Sequence, residues 1–178
     1  MNNIAKKILT ILFLYFSFTA KTQENIDSLF TLLNTTKQPE QLARINNLIS
    51  DYYLTKDFEK SNKYANNALS IAKKINSIKN ISDAYINLAN SFFYKGNYDS
   101  TLYYYNKSYQ LFLTTNDSVE IASSLNRLGL IYQAKSNYTE AVNYFLKSLK
   151  RIANQQYNTL IIKQLHSNKI FIFYSKFP

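Results

Sequence analysis

The sequence predicts an all-α fold, a solenoid of stacked helix-turn-helix units, on three observations. The first is a recurring word. Reading Leu125, Leu128, Gly129, Tyr132, Ala141 and Phe145 together, a step back of 40 residues meets Tyr85, Leu88, Ala89, Phe92, Thr101 and Tyr105, and a second step meets Ile45, Leu48, Ile49, Tyr52, Ser61 and Ala65. Large residues meet large ones and small residues mostly meet small ones. A fixed period of this size marks supersecondary units that bury their apolar faces only by stacking. The second is the scarcity of turn formers: Gly96, Gly129, Pro39 and Pro178 alone punctuate 178 residues, too few for a hairpin-rich β fold. The third is spacing, since Ile121, Leu125, Leu128 and Tyr132 recur at helical steps.

The chain opens on an address. Residues 1–20 read as a signal peptide, with Lys6 and Lys7 as the positive start and an apolar run from Ile8 to Phe18, interrupted only by Thr10 and Ser17, that is short of the roughly 20 residues a spanning helix needs. Cleavage is expected near Ala20. Phe18 stands where a second small residue belongs, so an uncleaved N-terminal membrane anchor over residues 4–20 is the rival reading. Either places the repeats outside the cytosol, periplasmic or at the cell surface, and contact with the membrane arises only through this segment.

Residues 21–156 form the predicted repeat domain. A capping helix is expected over 24–36 from the face made by Ile26, Leu29, Phe30 and Leu33, followed by repeats at 38–75, 78–114 and 118–153. Asp117 and Ser118 are candidate N-caps of the last repeat, and Ser82 or Asp83 of the middle one. The two helices of each repeat meet at Thr55-Lys56-Asp57, Lys95-Gly96-Asn97 and Lys135-Ser136-Asn137, where Gly96 suits a left-handed C-cap. An aromatic follows each turn: Phe58, Tyr98 and Tyr138. The last second helix then presents Ala141, Val142, Phe145, Leu146 and Leu149 with Tyr138 on one apolar face. Gly129 and Ala89 sit mid-helix, where a small residue admits a close neighbour, with Ala141 expected opposite Gly129 and Tyr132 or Phe92 filling the space one turn on.

On these residues the chain resembles the tetratricopeptide repeat: a large residue, Leu-Gly, Tyr, then Ala and Phe on the second helix. The resemblance is strongest over 118–153. It departs in its 40-residue period, in the missing terminal proline (Lys73, Leu113 and Ala153 stand there) and in the replaced tryptophan, and the longer period implies extra turns around Asn76–Asn80 and Thr114–Ser118. The resemblance implies a right-handed superhelical α-solenoid whose first helices line a concave groove for a protein or peptide partner. Helical phase then assigns that groove to Asn46, Ser50 and Tyr53, to Ile86, Asn90 and Phe93, and to Asn126, Leu130 and Gln133. This set is amide-rich and aromatic, with only Arg127 nearby of the cations by which some such domains grip a terminal carboxylate. Similar extracytoplasmic arrays form the sensory half of bacterial histidine kinases and regulators, so a sensory part of a signalling system, or a truncated remnant of a longer sensor, is implied.

After Gln156 the pattern fails. Leu165 would open a fourth first-type helix, but Lys169 falls at its small position, and Ile170, Phe171, Ile172, Phe173, Tyr174 and Phe177 form an aromatic run with no polar face. Residues 157–178 therefore read as a degenerate or truncated further repeat or a tail.

Charge and chemistry narrow the function class. The net charge of +10 sits at the ends: Lys6 and Lys7 at the start, and Lys150, Arg151, Lys163, Lys169 and Lys176 without an acid in residues 150–178. A nucleic-acid binder needs a basic stripe on its working face, so none is expected, and a nucleic-acid-binding regulator conflicts with export. With no cysteine and His166 alone, no zinc site of Cys and His ligands can be assembled, no Ser-His or Cys-His pair has obvious candidates, and the 11 acids recur at no spacing that suggests paired catalytic carboxylates. No enzyme, metal or cofactor is expected. Most of the 16 tyrosines fall in phase with the core (Tyr52, Tyr85, Tyr105, Tyr132, Tyr138), while Tyr103 and Tyr104 cannot both be buried with Tyr105.

Overall fold

Cap chemistry and apolar spacing account for the helices in turn. The computed structural model describes residues 26–154; the expectations for residues 1–20, for 157–178 and for His166 lie outside them. Among the described residues there are seven α-helices and no strand: α1 (26–35), α2 (Pro39–Tyr53), α3 (Phe58–Lys74), α4 (Ile78–Tyr94), α5 (Tyr98–Thr115), α6 (Ser118–Ala134) and α7 (138–154). The all-α fold expected from the sequence is what forms.

Pro39 occupies the first position of α2, where its missing N–H costs nothing. Asp57, Asn97 and Asp117 cap α3, α5 and α6 by accepting hydrogen bonds from the backbone amides of Lys60, Ser100 and both Val119 and Glu120. The middle repeat departs from expectation. Its first helix starts at Ile78 behind Ser77, and Ser82, expected as a cap, is buried inside α4. The reason is the left-handed Asn76, with φ of 53°, which ends α3 and returns the chain at once into α4; Asn116, φ 54°, does the same between α5 and α6. No spare loop is left. The extra residues of the 40-residue period, expected as added turns, lie instead within helices of 17 and 18 residues.

Gly96 takes a left-handed conformation at φ 72°, and Ser136 takes the same at φ 59° in the equivalent turn, where its Cβ bears a steric cost that glycine escapes.

The helices form two compact units, Met1–Lys95 and Gly96–Pro178, divided in the Lys95-Gly96-Asn97 turn. In the first, α1 lies on α2 through Ile26, Ile45 and Ile49, with Leu29, Phe30 and Leu33 against the same cluster, and α2, α3 and α4 pack on one another. Phe58 meets Phe92 edge to face at 5.5 Å, and Asn62 Nδ2 donates to Ser91 Oγ at 2.9 Å, tying α3 to α4. In the second unit α6 packs between α5 and α7. Lys135 Nζ donates to Asp99 Oδ1 at 2.8 Å between α6 and α5, Ser148 Oγ donates to the Ala122 carbonyl at 2.8 Å, and the Tyr132 and Tyr144 rings stack at 5.3 Å.

Three core expectations are corrected. Leu48 is 42% exposed, whereas its counterpart Leu88 is 1% exposed. The face of α4 that carries Leu88 turns toward α2, and no first-type helix precedes α2 among the described residues to cover Leu48 in the same way. Tyr138, Val142, Leu146 and Leu149 are exposed because nothing described packs on that side of α7. The residue over Gly129 is Phe145, not Ala141: a Cβ added at Gly129 would lie 2.6 Å from Phe145 Cε1. Of the tyrosines expected in the core, Tyr105 is buried and Tyr52, Tyr85 and Tyr132 are half-buried, while Tyr103 is exposed and Tyr104 half-buried.

Gly129→Ala gains helix propensity of about 1 kcal/mol but overpacks against Phe145, which costs about 1–3 kcal/mol, so a net loss of about 1 kcal/mol is expected in urea unfolding of the full chain. Adding Phe145→Leu to that variant should recover part of the loss. The backbone hydrogen bond from Lys60 holds the Asp57 carboxyl below its ordinary value of 3.8. A depressed folded value stabilises above the unfolded one and loses that contribution as pH falls through the folded value. The stability difference between wild type and Asp57→Ala should therefore shrink as unfolding is measured from about pH 6 down to about pH 3.

Candidate functional site

The faces assigned to a groove by helical phase separate on folding into one interior set and two open ones. On α2, Asn46 is 3% exposed and its Nδ2 donates to the Leu42 carbonyl one turn back at 2.8 Å. Ser50 is fully buried, and its Oγ donates to the Ser61 carbonyl of α3 at 2.8 Å. Tyr53 is half-buried against the Ile26–Ile45–Ile49 cluster, its ring stacked on Tyr64 at 6.2 Å and its face met by the Lys60 ammonium at 5.0 Å. Burial holds the Tyr64 phenol above its ordinary pKa of 10.0.

The physical reason is which neighbours cover α2: α3 closes on Ser50 through Ser61, and α4 closes on Asn47 through Asn80 and Asn87, so the Asn46–Ser50 side lies inward while Ile49 packs with Ile26 of α1. The solvent side of α2 is Gln41, Arg44, Leu48 and Asp51.

On α4 and α6 the assigned residues reach the surface. Ile86, Asn90 and Phe93 share one face of α4, the first two half-buried and Phe93 36% exposed, with its ring edge-on to Tyr94 at 5.8 Å. Asn126, Leu130 and Gln133 share one face of α6 and all are exposed, Leu130 to 49%. Neither trio contains a charged residue.

Asn47 and Asn87 are the structural residues that phase reasoning missed. Asn87 Nδ2 donates to the Asn47 carbonyl at 2.9 Å, and Asn47 Nδ2 donates to the Asn80 carbonyl at 3.1 Å, all buried. Glu40 accepts at Oε1 from Ser77 Oγ at 2.8 Å and from Asn80 Nδ2, which joins the starts of α2 and α4. The signal was available, because an asparagine recurs one period apart just before Leu48 and Leu88. These bonds set α4 against α2 and hence fix where the Ile86–Phe93 face points.

A shallow cleft of about 380 Å³ lies at the turn end of the first unit, among Asp57, Phe58, Tyr94 and Lys95. Its two cations are engaged on rings: Lys56 Nζ stands 3.3 Å from the Tyr52 ring centroid and Lys95 Nζ 4.5 Å from that of Phe58. In the second unit the hydrogen bond from Lys135 to Asp99 raises the lysine pKa, and burial followed by the neighbouring Tyr132 raises that of Tyr144. Among the described residues no group of three or more His, Cys, Asp or Glu is placed to hold a metal ion, and no helix is long and apolar enough to cross a membrane.

Residues 80–154, spanning α4 to α7, match the family model of the tetratricopeptide repeat. Over those residues the chain carries tetratricopeptide repeats. Solved structures agree at the level of the fold. The chain is similar to a signal-transduction ATPase with numerous domains that bears a tetratricopeptide-repeat sensor, from Pyrococcus horikoshii, with a TM-score of 0.69 at 20% identity over 76% of this chain and 21% of that one. It is similar to aspartyl phosphate phosphatase F from Bacillus subtilis, TM-score 0.66 at 20% identity over 71% of this chain and 33% of that one. It is also similar to MamA, TM-score 0.56 at 19% identity over 76% of this chain and 71% of that one. The chain thus spans about a fifth and about a third of the first two. No curated protein matches its sequence.

The division of the tetratricopeptide faces is open to a direct check. Ser50→Leu forces a large side chain into the α2–α3 contact and should destabilise the full chain by about 2 kcal/mol, whereas Leu130→Ser on the open face should stay within about 0.5 kcal/mol. Chemical denaturation followed by circular dichroism reads both.

Proposed function

We propose that this chain is a non-catalytic binding scaffold that takes a polypeptide segment against an open first-type face, that of α4 in the first unit or that of α6 in the second, and that it works outside the cytosol as the sensing part of a signalling system. The observation that carries the binding reading is the composition of those faces: side-chain amides beside exposed Phe93 and Leu130, with no charge. An amide offers both donor and acceptor, the complement of a peptide backbone, and an exposed aromatic or aliphatic group supplies desolvation energy at the centre of a contact. Tetratricopeptide repeats support a protein-interaction scaffold in general. The sensory reading draws on the ATPase from Pyrococcus horikoshii, whose sensor is described as a tetratricopeptide repeat; for this chain it is an analogy of fold. The export reading draws on Lys6, Lys7 and the apolar run Ile8–Phe18.

A photoreactive phenylalanine analogue placed at Phe93 or Leu130 should crosslink a discrete protein partner in the native host, while the same group at exposed Gln110 on α5 should not. Equal labelling from all three positions would remove the binding face. Fractionation and intact-mass measurement test export: a species beginning near Lys21 in the extracytoplasmic fraction is expected, and a full-length chain confined to the cytosol would sink that part of the reading.

A further inference from the structure

One cleft in the second unit has a chemistry unlike the open faces of α4 and α6. Lys147, Lys150 and Arg151 stand at i, i+3 and i+4 along α7 and form one wall, with Tyr109 of α5 opposite and Ile121 and Leu125 of α6 among its lining residues; the cleft encloses about 250 Å³. Ile121 and Leu125 are buried and Tyr109 is half-buried, so the inner part is apolar. The wall is cationic with no carboxylate among the lining residues, and none of its three cations joins an ion pair among the described residues. Lys147 Nζ rests 5.2 Å from the Tyr144 ring centroid, and Arg151 Nε is shielded from solvent without a hydrogen-bond partner. A buried donor without an acceptor is rare in a native fold.

We propose that this cleft binds a carboxylate carried on a short apolar group. A carboxylate is the planar anion a guanidinium pairs with best, and the two lysines add charge with no acid among the lining residues. The apolar lining selects against a bare inorganic anion, which would leave that surface wet. The volume is below the roughly 300–1,000 Å³ of drug-sized pockets, so the occupant is one anionic group with a small hydrocarbon part. A free short-chain acid and the C-terminus of a polypeptide share this chemistry. The cleft lies on a different side of α6 from Asn126, Leu130 and Gln133, so it stands apart from the proposed polypeptide face.

The test titrates the full chain with hexanoate, with hexanamide, and with an acetylated pentapeptide ending in leucine as the free acid or the amide, read by saturation-transfer NMR. Hexanoate or the peptide acid should bind, the amide twin should not, and Arg151→Gln or Lys150→Gln should weaken binding about tenfold with helical circular dichroism unchanged. Lys107→Gln on the far side of α5 should have no effect. Binding of hexanoate assigns a small acid as the source, and binding of the peptide acid alone assigns a polypeptide end. Equal binding of acid and amide forms, absence of binding by both acids, or full binding in Lys150→Gln would overturn the proposal. Should Arg151→Gln lose helicity, Lys147→Gln, which alters an exposed side chain, replaces it.

Discussion

Close approach of paired helices at a small residue is the constraint on which the rest of this structure depends. At Gly129 the Phe145 ring occupies the space a Cβ would take, and at Ser50 the contact is closed by a hydrogen bond to the Ser61 carbonyl. Each contact sets the rotation of a first-type helix about its own axis. That rotation decides which residues are interior and which face solvent. In the first copy Ile49 stands at the small position and packs with Ile26 of α1 and Ile45 instead.

Buried amides complete what the small residues begin. Asn47, Asn80 and Asn87 satisfy one another's backbone and side-chain groups between α2 and α4, and Glu40 adds the Ser77 and Asn80 donors at the helix starts. Directional bonds of this kind specify a register along the helix axes that apolar packing leaves loose. The open face of α4 points where it does because these bonds hold α4 to α2.

Leu48 on α2, and Tyr138, Val142, Leu146 and Leu149 on α7, occupy positions that would be covered if a further helix packed on them, and among the described residues none does. The same circumstance leaves the Lys147–Arg151 side of α7 open to form a cleft with α5 and α6.

The sequence by itself determined the helices, their order and their pairing, because 3.6-residue spacing, Asp and Asn caps and left-handed Asn and Gly turns are local properties encoded within a few residues of where they act. It also determined the open faces of α4 and α6, whose phase follows from the buried Leu88, Leu128, Ala89 and Gly129. Only the tertiary structure decided that Asn46, Ser50 and Tyr53 are interior, that α4 begins behind Ser77, and that Lys150 and Arg151 share a cleft with Tyr109. Those outcomes depend on which neighbour covers a helix and from which side. That information lies in residues a full repeat away, and a periodic pattern averages it out by treating every copy as if it had the same neighbours.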